Sequence, residues 1–209
     1  MTTLQIRHTV DDLIEAGIDE AGRGCFWGPL YAAAVIWSPE ESDAPELQGI
    51  RDSKKLSQKK REAAAEYIKD YAISWGIGVV KATEITEVGV TRANQLAFTR
   101  ALEGLSVEPE RLIIDGCISL YDAPWSMIPQ AVEAEADNKY LPVAAASILA
   151  KVGHDEYVKE YCSVNTNIAE TYDLLNNKGY GTLTHRTALL KHGVTEEHRP
   201  QFLRKLFSN

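Results

Sequence analysis

Alternating apolar and polar residues predict several β-strands in this chain. The first alternation runs through Ile14, Ala16 and Ile18 and ends at Asp19. The continuous apolar run from Leu30 to Trp37 is typical of a strand buried on both faces. Three further strands are predicted at Ile73 to Val79, at Leu112 to Asp115 and, weakened by Pro129, at Trp125 to Val132.

Apolar residues spaced three and four apart predict three long helices. The first begins after Ser57 as its N-cap, and the second runs from Val90 to Leu105. The third has Pro142 in its first turn. The stripe expected to be buried in the first helix is Ala64, Tyr67, Ile68 and Tyr71.

The third helix separates apolar and polar residues clearly. Its buried side is predicted to hold Ala145, Ile148, Leu149 and Val152. The opposite side aligns Ser147, Lys151 and Asp155. Beyond about residue 165 the pattern indicates helices and loops. Strands first, followed by alternating strands and helices, predict an α/β fold with a mixed sheet covered by helices.

Composition fits a compact intracellular protein. The 209 residues, 44% of them hydrophobic, suffice for one domain. No run of 18 apolar residues occurs and the N-terminus is polar, so we expect neither a membrane helix nor a signal peptide. The odd cysteine count, without metal-type spacing, favours reduced thiols and a cytoplasmic location. A net charge of −8 argues mildly against a nucleic-acid partner, unless local charge overcomes it.

Four acidic residues lie where predicted strands end or helices begin, namely Asp19, Glu20, Asp115 and Asp137. Carboxylate oxygens are the ligands that Mg²⁺ prefers, so a shared metal site is one interpretation. A turn or helix-cap role for each acid is the alternative, and spacing alone leaves both open. Neighbouring strand residues point to opposite faces, so Asp19 and Glu20 share a site only if the strand ends or bulges between them.

Several strings resemble the motifs of the ribonuclease HII family, and they occur in the family's order. Gly17 to Gly24, GIDEAGRG, resembles its signature closely. The other matching strings are Asp52 to Ser57, Ile113 to Gly116, Ala144 to Val152 followed by Asp155, Lys178 to Thr182 with His185, and His198-Arg199. The last two strings together match the family's C-terminal motifs, and five motifs in order are specific where one alone is weak.

The resemblance implies a ribonuclease H-like mixed five-stranded sheet flanked by helices. Residues 1–209 would form a single catalytic domain, with 166–209 as a C-terminal helical extension that contributes to substrate binding. The resemblance also implies a two-metal site for Mg²⁺ or Mn²⁺. Its catalytic residues and metal ligands would be Asp19, Glu20, Asp115 and Asp137.

The implied activity is metal-dependent hydrolysis of the RNA strand of RNA–DNA hybrids and cleavage 5′ to single ribonucleotides in duplex DNA. The products would carry 3′-hydroxyl and 5′-phosphate ends, as ribonucleotide excision repair requires. The chain would act as a monomer. The implied substrate-binding residues are Gly22, Arg23, Gly24, Ser53, Lys54, Lys55, Ser147, Lys151 and Tyr180.

Other interpretations of these residues stay open. Lys54 and Lys55 also fit a solvated face, Lys151 also fits an ion pair with Asp155, and Tyr180 also fits a core anchor. A hard-metal site prefers oxygen, so the histidines favour another role. We expect surface or capping positions for His185, His192 and His198.

The chain departs from the family pattern in three places. Cys25 to Trp27 replaces a proline and small residues, Glu135 to Asn138 replaces a Gly-Asp pair, and Gly153-His154 replaces a Thr-Arg pair. Asp137 is therefore the least secure ligand.

Two rival functions remain. The first is an enzyme of the ribonuclease HIII type, against which Gly22 to Gly24 and the short N-terminus count. The second is a hybrid-binding module without catalysis, which four acids disfavour. The tail from Gln201 to Phe207 fits either a sliding-clamp peptide or an amphipathic last helix.

Overall fold

The computed structural model of the chain describes residues 4–38, 49–50, 53 and 56–208. Lys54 and Lys55, two of the predicted substrate residues, lie outside the described residues. The strands are β1 (Glu15–Ala21), β2 (Leu30–Ile36), β3 (Ser74–Val80), β4 (Arg111–Asp115) and β5 (Gln130–Glu133). The helices in these ranges are α1 (Gln58–Tyr71), α2 (Ala82–Val88), α3 (Val90–Glu103), α4 (Leu141–Val164), α5 (Thr166–Thr171), α6 (Leu174–Asn177), α7 (Leu183–His192) and α8 (Pro200–Phe207).

The five strands form one mixed sheet in the order β3-β2-β1-β4-β5. β1 is antiparallel to β2 and parallel to β4, and β5 is parallel to β4. In the central parallel pair, Ile18 lies opposite Ile114. This arrangement confirms the predicted mixed five-stranded sheet flanked by helices.

Helices cover the two faces of the sheet. Ile18 and Ile114 belong to the buried cluster that includes Phe98 of α3. Ala33 of β2 belongs to a second cluster, with residues of α1 and α4. A side chain at Gly17 would collide with the backbone of Pro142. The first turn of α4 can therefore lie directly on β1, next to Asp19.

Several elements differ from the prediction. α2 was missed, and the strand predicted from Trp125 begins only at Gln130, because residues 125–127 form a 3-10 turn. Tyr71, predicted to be buried, is exposed and stacks on Tyr67. All four residues predicted to be buried in α4 are buried.

The segment from α5 to α8 packs on the end of α4. Its buried cluster contains Leu174 and Leu189, together with Val158 of α4. Trp27 is also part of the cluster and is fully buried, with its ring edge against Tyr161 at a centroid distance of 4.7 Å. The loop after β1 is therefore joined to the C-terminal helices through Trp27. In the described ranges, no helix is both long and apolar enough to cross a membrane.

Candidate active site

Asp19 is the central acid of the candidate site. β1 places it beside β4, and its side chain is 5% exposed. Burial, followed by the negative charges of Glu20 and Asp115, raises the pKa of Asp19 well above its usual value. A hydrogen bond from Ser147 of α4 opposes this shift. Glu20 and Asp115 thus both lie near enough to repel the carboxylate of Asp19.

Ser53 and Ser147 form a polar support behind Asp19. Their hydroxyl oxygens lie 3.0 Å apart, and both side chains are buried. Both were predicted to bind substrate, and that role stays a prediction. The observed contacts link the loop before α1 to Asp19 through α4.

Glu20 does not meet the condition set for sharing a site with Asp19. β1 continues to Ala21, and Glu20 pairs in register with Ala32 of β2, so the strand neither ends nor bulges between the two acids. The carboxylate of Glu20 lies 3.1 Å from the guanidinium of Arg23. Glu20 still acts on Asp19 through charge, as the raised pKa of Asp19 shows.

Asp115 holds the turn that carries Asp137. Its Oδ1 accepts a 2.7 Å hydrogen bond from the backbone N–H of Ala136. Glu135 has the left-handed φ of 58°, which reverses the chain into the 3-10 turn of residues 136–138. Asp137 is buried there, and its Oδ1 accepts from the side-chain amide of Asn138. Asp115 therefore has a structural contact in addition to its proposed role.

The donor set suits a hard cation, although the four acids do not form a closed metal cage. Among residues 4–38, 49–50, 53 and 56–208, no group of three or more His, Cys, Asp or Glu side chains is arranged to hold a metal ion. The buried carboxylate of Asp19 is nevertheless repelled by Glu20 and Asp115. A divalent cation with oxygen ligands would relieve that repulsion.

The Gly22 to Gly24 loop is held from the C-terminal segment by Arg199, which is fully buried. Nη1 of Arg199 donates to the carbonyl oxygens of Gly22 and Arg23, at 2.8 and 3.1 Å. Nε donates to Gly28 at 2.8 Å. Burial lowers the pKa of Arg199 to about 10. Sequence reasoning named Arg199 only as part of a motif and missed this role.

Tyr180 lies against the same loop and is 38% exposed. Burial raises the pKa of its hydroxyl, which lies near the Cys25 thiol and the Gly22 backbone. Nζ of Lys151 lies 5.6 Å from the centre of the Tyr180 ring and 2.6 Å from Asp155, so the alternative ion pair of Lys151 is present. One part of the tyrosine is thus anchored, and another part faces solvent.

The expectation that His185 and His198 lie on the surface is wrong. Both are buried, and their Nε2 atoms lie 3.1 Å apart. Nδ1 of His185 bonds to the Tyr180 carbonyl at 3.0 Å, while Nδ1 of His198 accepts from the backbone N–H of Thr195 at 2.9 Å. The pair joins the loop after α7 to the Tyr180 backbone. His192 is exposed, as expected.

Comparison with known proteins places these features in one family. The family model described as ribonuclease HII matches residues 16–209. The ribonuclease HII of Bacteroides thetaiotaomicron is 45% identical over 195 residues, which cover 91% of this chain and 90% of the relative. That of Parabacteroides distasonis is 44% identical over 189 residues, 90% of this chain and 89% of the relative.

Solved structures agree on the fold. Ribonuclease H2 from Pyrococcus horikoshii superposes with a TM-score of 0.72 at 24% identity, covering 92% of this chain and 96% of that one. The ribonuclease HII of Archaeoglobus fulgidus, solved as a complex with PCNA, gives 0.71 at 25% identity, covering 94% and 98%. A Bst ribonuclease HIII in complex with Mn²⁺ gives 0.61 at 21% identity, covering 89% of this chain but 65% of that one.

Proposed function

Because the chain belongs to the ribonuclease HII family, and is therefore an endonuclease of the ribonuclease H type, we propose a specific reaction for it. It hydrolyses the RNA strand of RNA–DNA hybrids and cuts on the 5′ side of single ribonucleotides in duplex DNA. The products carry 3′-hydroxyl and 5′-phosphate ends. This cleavage would be the first step in removing ribonucleotides from DNA.

One observation carries the proposal: the buried carboxylate of Asp19, which Glu20 and Asp115 repel, lies on the strand that runs straight into the glycine loop. Asp19 and the Gly22 to Gly24 loop are separated by only two residues. Tyr180 lies against that loop. Groups suited to a metal-assisted phosphoryl transfer and groups suited to reading a sugar thus lie side by side.

The proposed cofactor is Mg²⁺ or Mn²⁺ in a two-ion arrangement, held by Asp19, Asp115 and Asp137. Glu20 lacks the strand break that a shared site needs, so it would contribute through its charge rather than as a ligand. Bound ions of this kind neutralise developing charge on the phosphate and lower the pKa of water. The Mn²⁺ complex of the Bst ribonuclease HIII supports this choice by analogy. The backbone N–H of Glu20 donates to Oδ1 of Asp19 at 2.7 Å and so orients its carboxylate.

Substrate selection falls to the loop and the tyrosine. The 2′-hydroxyl of RNA both donates and accepts hydrogen bonds, so backbone groups of Gly22, Arg23 and Gly24 can read it. No side chain at Gly24 intervenes, and the space around its Cα is open. The exposed part of the Tyr180 ring is free to stack on the adjacent deoxyribose. Lys54, Lys55 and Lys151 are the residues proposed to bind the phosphate backbone.

The chain's own tail bears on the clamp hypothesis. The PCNA complex belongs to the Archaeoglobus protein. In this chain, Gln201 to Phe207 falls in α8, where Leu203 is buried and the Gln201 amide donates to the Ile85 carbonyl at 3.3 Å. These contacts support the interpretation of the tail as an amphipathic last helix. A sliding clamp would have to bind the side chains of α8 that remain exposed. All three cysteines are free, which suits the proposed cytoplasmic location.

The decisive experiment is cleavage of a DNA duplex that contains one ribonucleotide, with and without Mg²⁺ or Mn²⁺. We expect a single cut 5′ to the ribonucleotide that requires the metal. A matched all-DNA duplex serves as control. Binding without cleavage in either metal would favour the hybrid-binding module. Cleavage of hybrids but not of the single-ribonucleotide duplex would favour a ribonuclease HIII type activity.

A further inference from the structure

A buried thiol lies where the glycine loop meets the segment that carries Tyr180. Cys25 follows Gly24 directly and is fully buried. Its backbone N–H donates to the Gly22 carbonyl at 3.2 Å. Its Sγ donates to the carbonyl oxygen of Lys178 at 3.5 Å. The thiol thus connects the loop to the residues just before Tyr180.

The backbones of the same two segments are also joined. Phe26 donates its N–H to the Gly179 carbonyl at 2.8 Å. A Cβ at Gly179 would lie 2.5 Å from the carbonyl oxygen of Trp27, and Gly179 has a φ of 83°. Only glycine allows this close approach without strain. The backbone at Gly179 therefore holds the following residue, Tyr180, next to the loop.

His154 of α4 supports the loop from below. It is fully buried, and its Nε2 lies 3.8 Å from the sulfur of Cys25. A Cβ at Gly22 would lie 2.6 Å from the His154 ring, so the imidazole packs directly against the loop backbone. Its Nδ1 lies 3.4 Å from Asp155. The His154 ring centre is 6.3 Å from that of Tyr180.

Cys25, His154 and Asp155 superficially resemble a nucleophilic triad, but the thiol is not suited to attack. Burial raises the pKa of Cys25 to about 12, and burial lowers the pKa of His154, so both groups are neutral at physiological pH. A neutral, buried thiol serves as a hydrogen-bonding group instead. Its partners are the Lys178 carbonyl, two residues before Tyr180, and the ring of His154.

We propose that Cys25 and His154 are positioning residues that hold Tyr180 against the Gly22 to Gly24 loop, so that loop and ring present one surface to the substrate. In this arrangement the Tyr180 hydroxyl faces Cys25 and Gly22, and the exposed face of the ring is available for substrate recognition. The substrate contact in this proposal rests on the proposed function. The contacts around the Cys25 thiol are independent of the proposed function.

Thiol labelling tests the contacts without any activity measurement. In a Cys117→Ser background, which removes the exposed thiol, the labelling rate of Cys25 is followed by peptide mapping, which separates it from Cys162. Tyr180→Phe removes the hydroxyl and should increase Cys25 labelling about fivefold, the usual effect of one lost hydrogen bond. Tyr121→Phe, at an exposed tyrosine, is the matched control and should change nothing. An unchanged rate in Tyr180→Phe overturns the proposal.

Kinetics test the consequence for specificity. Cys25→Ala should reduce kcat/KM on the single-ribonucleotide duplex about fivefold more than on a continuous hybrid. Cys25→Ser keeps a hydrogen-bond donor and acceptor, so it should retain most of the activity that Cys25→Ala loses. For the same reason, His154→Gln should retain more activity on the single-ribonucleotide duplex than His154→Leu. A lower melting temperature with an unchanged ratio between the two substrates overturns the positioning role. If the unmodified chain fails to cut the single-ribonucleotide duplex, the proposed function falls, while the labelling result still decides the contacts.

Discussion

Asp19 and Asp115 are the next residues after Ile18 and Ile114, which pair in two parallel strands. Paired residues of parallel strands point to the same face of the sheet, so the two carboxylates extend towards α4 together. Asp115 contributes to the raised pKa of Asp19 through its charge. Two like charges in a buried site destabilise the metal-free protein and favour a cation.

Asp19→Asn should abolish most turnover and stabilise the metal-free protein. The amide keeps the shape of the side chain but removes the negative charge that Glu20 and Asp115 repel. We expect a loss of about 10² to 10³ in kcat, as for the removal of other electrostatic groups. The melting temperature in EDTA should rise by about 2–4 °C, which corresponds to about 1 kcal/mol in a domain of this size. Asp70→Asn, on the exposed side of α1, is the control and should change neither kcat nor the melting temperature. Near-normal activity of Asp19→Asn at saturating metal would show that Asp19 is not a metal ligand.

Asp115 should respond differently to two substitutions. Asn at this position can still accept the N–H of Ala136, whereas Ala leaves that buried donor without its partner. An unpaired buried donor costs about 1–3 kcal/mol, so Asp115→Ala should lower the free energy of unfolding by that amount. Asp115→Asn also removes a charge that repels Asp19, so it should unfold at a slightly higher urea concentration than the unmodified chain in EDTA and still lose activity. Equal stability of the two variants, measured by urea unfolding, would show that the contact with Ala136 contributes nothing.

Local patterns predicted much of the sheet, because period two can be read from a few residues. The alternation around Ile18 marked β1, and the short apolar run before Asp115 marked β4. β3 was also predicted, but its buried row includes Gly76 and Gly78, whose lack of side chains hides them from a hydrophobic pattern. A side chain at Gly78 would collide with the Ala97 carbonyl of α3.

Long-range contacts could not be predicted in this way. Arg199 bonds to Gly28 across 171 positions of sequence, and no local period reveals such a contact. His185 and His198 resembled surface residues because a polar side chain is buried only where a specific partner exists, and each is the other's partner. The motifs brought these residues to notice, but only the fold shows what they contact.

Acid should destabilise the protein through the His185–His198 pair. Burial, followed by the charge of the neighbouring histidine, lowers the pKa of His198 to about 4, and burial also lowers the pKa of His185. The unfolded chain takes up protons near pH 6.5 while the folded chain does not, so stability present above that pH is lost as pH falls towards about 4. Asp173 is the charged group that opposes this shift at His185, and Tyr172 packs against both rings.

Urea unfolding between pH 7.5 and pH 4.5 measures this loss. Replacing both histidines by glutamine should lower stability at pH 7.5 and flatten its pH dependence. Replacing the exposed His192 by glutamine should leave the pH dependence unchanged. A slope that survives the double replacement would assign the acid sensitivity to other groups, of which the buried His154 is the first to examine.

The glycine loop offers a sharp separation between folding and substrate contact. Gly22 has a φ of 81°, and a Cβ there would lie 2.6 Å from the His154 ring, so Gly22→Ala should strain the loop and lower the melting temperature. Gly24 has no such φ, and a Cβ there would meet no atom within 4 Å, so Gly24→Ala should fold normally. If a ribose approaches this backbone, the added methyl group must still obstruct it. Gly24→Ala should therefore raise KM for the single-ribonucleotide duplex about tenfold at an unchanged melting temperature. Normal KM in a normally folded Gly24→Ala variant would show that the substrate passes the loop at a distance, and sugar recognition would then fall to Tyr180.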